Sequence, residues 1–145
     1  MAITNASKNT AVTHIPLPET LLTSHPIRQH FAPSVRQAGI NKIEAQLQTL
    51  ETSADSSSTY SLLGCVVDYA ARLAGQAVIG ACTVLEQELH IRATGDATRL
   101  SVHAQIESSS SRYAIYQCDI FAEEADGRRL IAESQGTLLK RPAAV

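Results

Sequence analysis

The stretch TYSLLGCVVDYAARLAGQAVIG, Thr59 to Gly80, is long, apolar and built from good helix formers. Its spacing predicts a helix over about Ser58 to Val78, free of proline, with glycines only at 64 and 75. A helix this apolar has to be buried, so the other segments must cover it. The polar run TSADSSS before it offers Asp and Ser as N-cap candidates. Asp68 is the anomaly, a carboxylate near the middle of the most hydrophobic segment of the chain.

The flanking segments read as strands. Before the helix, INKIEAQLQTLE alternates from Lys42, with Ile43, Ala45 and Leu47 on one face and Glu44, Gln46 and Gln48 on the other. After it come four strand-like segments and no second helix. ACTVLEQELHIRA is expected to set Leu85, Leu89 and Ile91 on one face, and Glu86, Glu88, His90 and Arg92 on the other. TRLSVHAQIE alternates strictly. RYAIYQCDIFAEE and RRLIAESQGTLLK alternate less cleanly and are joined by EADGRR, where Asp126-Gly127 signals a hairpin. Residues 1–16 are polar and aperiodic, an expected flexible arm. Residues 17–145 are expected to form one domain, opening with a short helical segment broken by Pro26 and ended by Pro33. The expectation is an α+β domain: a five-stranded antiparallel sheet against one long helix.

Composition narrows the function. With a net charge of −2, 4% aromatics and no Lys/Arg cluster, there is no footprint for nucleic acid. Asp68, Arg72 and Gln76 inside the apolar segment argue against a membrane span, and the N-terminus lacks the regions of a secretory signal. A cytoplasmic protein is expected. Cys65, Cys82 and Cys118 show neither paired nor metal-ligand spacing and read as buried small hydrophobes. His14, His25, His30, His90 and His103 show no metal spacing and no acidic partner at a ligand interval. No metal and no cofactor are expected. A serine-hydrolase elbow and a glycine-rich phosphate loop are absent from the sequence.

Three strings, LGCVVDYAARLAG (Leu63–Gly75), ACTVLEQELHIRATGD (Ala81–Asp96) and DGRRLIAESQGTLL (Asp126–Leu139), resemble in order and spacing the phenylacetate-degradation-type (PaaI-like) acyl-CoA thioesterases of the hotdog fold. The resemblance covers roughly residues 40–140. It implies a sheet wrapped around the central helix, and hydrolysis of a small or medium acyl-CoA, aromatic ones included, at the interface of a homodimer or dimer of dimers. Coenzyme A enters only as part of the substrate.

The resemblance also assigns roles. Asp68 falls at the helix carboxylate that serves as general base or nucleophile, and Thr83 at the residue that holds the attacking water. Gly64 belongs to the helix string, and Gly95 and Asp96 to the turn string. The family opens its helix with His-Gly-Gly, where this chain has Thr59, Tyr60 and Ser61. The backbone N–H of Tyr60 then stands at the first glycine, where the thioester carbonyl is polarised, with Ser61 beside it. Arg92 and Arg112 are candidates to meet the phosphates of coenzyme A.

Two readings of Asp68 follow. A carboxylate in a low-dielectric cleft is expected to have a raised pKa and to act as a base. Alternatively, Asp68 and Arg72 form an i, i+4 pair on a polar stripe with Ser61 and Gln76. The rival to the enzyme is a non-catalytic acyl-CoA-binding or structural hotdog module that keeps the fold and has lost the chemistry with its His-Gly-Gly, as Thr59, Tyr60 and Ser61 favour.

Overall fold

The structure, a computed structural model, describes residues 15–16, 21–50, 62–93 and 98–142. In chain order these form β1 (Ile15–Pro16), a 3₁₀ turn (Pro26–Gln29), β2 (Phe31–Gly39), β3 (Lys42–Thr49), α1 (Leu63–Ile79), β4 (Cys82–Ile91), β5 (Arg99–Ser109), β6 (Tyr113–Glu124) and β7 (Gly127–Lys140). The strands make one antiparallel sheet in the order β1-β2-β3-β5-β6-β7-β4. The helix carries the chain from β3 across the sheet to its far edge, where β4 pairs with β7.

Alternation places the core as expected. Ile43, Ala45 and Leu47 of β3 and Leu100, Val102, Ala104 and Ile106 of β5 are all buried. They meet Leu63, Val66, Val67, Ala70, Leu73 and Ala74 of α1, which packs against β3 through β7. Only the stripe carrying Gly64, Cys65, Asp68, Arg72 and Gln76, with exposed Ala77 and half-buried Val78 near the C-terminal end, escapes full burial. The helix approaches the sheet closely at Gly75, where a Cβ would stand 2.6 Å from Leu138 Cδ1 and 2.8 Å from Cys82 Sγ. In the β6–β7 hairpin Ala125 and Asp126 make the turn, and Gly127, at φ +128°, pairs with Glu124.

Three expectations need correction. The segment before β3 is not helical up to Pro33. It makes one 3₁₀ turn and then β2, giving six strands of eight or more residues instead of five, with two-residue β1 beyond them. Pro33 lies within β2 opposite Leu47, and among the described residues β1 covers β2 only at Arg36 and Gln37. A strand near the sheet margin tolerates the missing N–H.

Second, the α-helix runs Leu63–Ile79, a shorter span than expected, and Leu62 caps it without a side-chain hydrogen bond. The N-cap candidates, Tyr60 and Ser61 fall outside the described residues, as do Gly95 and Asp96.

Third, β4 does not bury Leu85 and Ile91. A bulge between Val84 and Glu86 turns Leu85 out, and the two side chains are 57% and 50% exposed.

Candidate functional site

α1 and β4 are tied at two points. Near the start of the helix, Gln87 Nε2 donates to the Gly64 carbonyl at 3.3 Å. Two turns on, Arg72 Nε donates to the Cys82 carbonyl at 3.1 Å. Asp68 lies midway between these ties, so its helical face runs along β4 between Cys82 and Gln87. That segment contains Thr83, half-buried and paired with Leu139. Cys82 and Leu138 are buried against the helix, and Thr83 and Leu139 alternate with them, so the Thr83 side chain lies on the other face of the sheet. The structure sets Gly64 and Asp68 on one helical face and, within one chain, does not bring Thr83 to them.

Asp68 is held from two sides. Arg72 Nη1 reaches Asp68 Oδ2 at 3.3 Å, and His25 Nε2 reaches the same oxygen at 2.7 Å. The Asp68 side chain keeps 32% of its surface, while that of His25 keeps 4%. Burial pushes the Asp68 carboxyl up. The His25 hydrogen bond and the charge and hydrogen bond of Arg72 outweigh it and hold the group below the usual carboxylate range. This reverses the expected raised pKa. Asp68 is ionised at neutral pH, and its basicity is reduced.

His25 was legible only in part. It precedes Pro26, which forces an extended backbone at His25, and its side chain caps the 3₁₀ turn. Its ring also packs edge-on against Tyr69, with centroids 5.2 Å apart. The expected lack of an acidic partner at a metal-ligand interval does not extend to other pairings: His25 meets Asp68 from 43 positions away, and His90 Nε2 lies 2.8 Å from Glu88 Oε1.

The two candidate arginines divide. Arg92 follows the far end of β4, nine residues from Thr83 and so about 30 Å away along a strand, and it pairs there with Glu133. It does not share a site with Asp68 of its own chain. Arg112 is exposed, and its carbonyl accepts from Lys140 N–H at 2.8 Å. Lys140 pairs with Cys82, which places Arg112 at the Thr83 end of the sheet.

Beside the β4 edge lies a cleft of about 390 Å³ lined by Glu86, Gln87, Glu88, Ile115, Gln135 and Thr137, with Gly136 at its floor. Glu86, Glu88, Gln135 and Thr137 alternate with the helix-facing Gln87, Ser134 and Leu138, so this cleft opens on the sheet face away from the helix and from Asp68. Among the described residues no group of three His, Cys, Asp or Glu side chains gathers to hold a metal. Among them, too, no helix is long and apolar enough to cross a membrane.

One long helix on a single antiparallel sheet, with the strand after the helix at the far edge, is shared with solved structures. A thioesterase family protein from Silicibacter pomeroyi superposes with a TM-score of 0.69 at 14% identity, covering 81% of this chain and 90% of that one. The chain has the hotdog fold. The PaaI protein of the Escherichia coli phenylacetic acid degradation operon gives 0.65 at 12% identity, covering 77% and 81%. A thioesterase from Haemophilus influenzae gives 0.61 at 17%, covering 81% and 84%. No protein-family model and no curated protein sequence matches the chain.

Proposed function

We propose that the chain is an acyl-CoA thioesterase acting on a small or medium acyl-CoA, with Asp68 as the carboxylate that works on the thioester. The observation that carries this reading is the position of Asp68: an ionised, partly exposed side chain on the open stripe of an otherwise buried helix. The sequence resemblance agrees with it, and so do the thioesterases among the structural neighbours.

Its reduced basicity bears on the chemistry. A general base works best with a pKa near the operating pH. A carboxylate held low is instead fully ionised, which suits attack on the thioester carbon or stabilisation of nearby charge. The Tyr60 N–H, Ser61 and Gly95 would line the substrate side. A homodimer or dimer of dimers would complete the site along the β4 edge, and Arg112 would stand where a coenzyme A phosphate can approach.

A second reading, a non-catalytic acyl-CoA-binding or structural hotdog module, is favoured by one specific observation. Asp68 Oδ2 already accepts from both His25 and Arg72, as a purely structural carboxylate would.

Thiol release from a panel of short, long and aromatic acyl-CoAs, wild type beside Asp68→Asn, separates the two. The enzyme reading expects turnover that the variant loses. Equal turnover in both proteins would retire Asp68, and release no faster than the uncatalysed rate across the panel would leave the binding module.

A further inference from the structure

His25 and Asp68 are 43 positions apart and meet at 2.7 Å in the half-buried floor of the site. The imidazole is fixed from three directions. Its Nδ1 accepts the backbone N–H of Ile27 at 3.1 Å, so the ring hydrogen resides on Nε2, which faces Asp68. Its face meets the Tyr69 ring edge-on. Pro26, next in sequence, fixes the extended backbone from which the ring projects. Arg72 approaches the same Asp68 oxygen and is itself anchored on the Cys82 carbonyl. Among the described residues both donors fall on Oδ2 and none on Oδ1.

We propose that His25 is a positioning residue for Asp68: the Nε2–H imidazole, locked by the Ile27 amide, clamps Oδ2 and so presents Oδ1 as the oxygen that meets the substrate. This rests on the thioesterase reading for its kinetic consequence, but the clamp itself is a property of the folded chain. Arg72 alone would leave the carboxylate free to rotate about its last torsion. With two donors converging on one oxygen from different elements, that rotation costs a charge-assisted hydrogen bond. A productive oxygen is then in place before substrate arrives, which is how orientation enters a rate. His25 has 7% of its surface exposed and acts through Asp68, without touching the substrate.

The charged and titratable groups linked to Asp68 come from four elements. His25 of the 3₁₀ turn and Arg72 of α1 act on Asp68, and Asp68 in turn acts on Cys65 of α1, Cys82 of β4 and Tyr116 of β6. Removing the His25 donor leaves burial opposed by Arg72 alone, so the Asp68 pKa should rise. A merely structural histidine would not move it.

The test has three arms. In wild-type protein, ¹⁵N NMR of the imidazoles should find the His25 proton on Nε2; a neutral ring carrying it on Nδ1 would overturn the proposal outright, with no variant needed. ¹³C titration of the Asp68 carboxyl should then show a higher pKa in His25→Leu than in wild type. His25→Gln, which keeps an N–H near the Nε2 position, should hold the pKa closer to wild type; it also serves if the leucine variant fails to fold. Finally, kcat for thiol release should fall about tenfold or more in His25→Leu, the loss expected when a hydrogen bond to a charged group goes, with KM little changed. Its acid limb should move to higher pH, and His25→Gln should recover most of the rate. An unchanged Asp68 pKa in the leucine variant, or an unchanged kcat in a leucine variant of an active wild type, overturns the clamp. A wild type without activity that still shows the carboxyl shift sinks the thioesterase reading and leaves the clamp standing.

Discussion

Tyr116 lies directly across the β6–β7 pair from Gly136, and its ring fills the space a side chain at 136 would need. A Cβ on Gly136 would stand 2.8 Å from Tyr116 Cε2, 2.9 Å from its hydroxyl and 2.1 Å from the Glu86 carbonyl oxygen. The tyrosine is buried, and its hydroxyl meets Ser134 Oγ at 3.1 Å, which in turn donates to the Glu88 carbonyl at 2.7 Å. The chain from Tyr116 to β4 therefore depends on the missing side chain.

Gly136→Ala should lower unfolding free energy by about 3 kcal/mol, the upper part of the range for overpacking a tight interior. One of the two obstacles is backbone and cannot swing aside. Urea denaturation of the two proteins checks this, and a loss below about 1 kcal/mol would mean β4 yields more easily than its register suggests.

The same interior should keep the thiols unreactive. Burial pushes the Cys118 thiol far up and the Cys82 thiol to about 11, and it raises Cys65 as well. Cys82 and Cys118 are almost inaccessible, whereas Cys65 lies on the open stripe of α1. An aromatic disulfide reagent at neutral pH should modify at most one thiol in the folded protein, slowly, and all three after denaturation. Rapid loss of two thiols in the native state would contradict this packing.

The strands that alternate strictly were the most legible part of the chain. In β5, Leu100, Val102, Ala104 and Ile106 point into the core because a period of two has only one buried solution against a helix. β2 was missed because Pro26 and Pro33 are strong local breakers, and only its place near the sheet margin shows why a proline sits within it. Leu85 was misassigned because a bulge slips the register by one residue, which no alternation count detects. Asp68 was legible as the odd carboxylate in an apolar helix. Its protonation behaviour was not, because His25 reaches it from 43 positions away and only the fold brings the two together.

β4 leaves one long strand edge uncovered in a single chain, with Leu85 and Ile91 exposed beside it. Such an edge invites pairing. Light scattering at micromolar concentration should give at least a dimer mass, and Leu85→Asp should shift the population toward monomer. A wild-type monomer under those conditions would mean that the edge stays open and the site is formed by one chain.

Asp68 should also leave a signature in stability against pH. Its folded pKa lies below the unfolded value because His25 and Arg72 favour the ionised form by more than burial opposes it. Between the folded and unfolded values the unfolded chain binds more protons, so stability rises with pH through that window. The contribution is complete above the unfolded pKa, about 3.9 for an aspartate, and is lost as pH falls through the folded one. Asp68→Asn removes the titration and leaves every other carboxylate in place. Thermal melts of both proteins at a series of pH values from 7 down to 3 should therefore show the wild type more stable at neutral pH. The gap should close below about pH 4, as the wild-type carboxyl takes up its proton. A gap of constant size down to pH 3, or a variant more stable than wild type at pH 7, would mean that Asp68 is not held ionised by His25 and Arg72. The carboxylate would then be freer and more basic than its two hydrogen bonds imply.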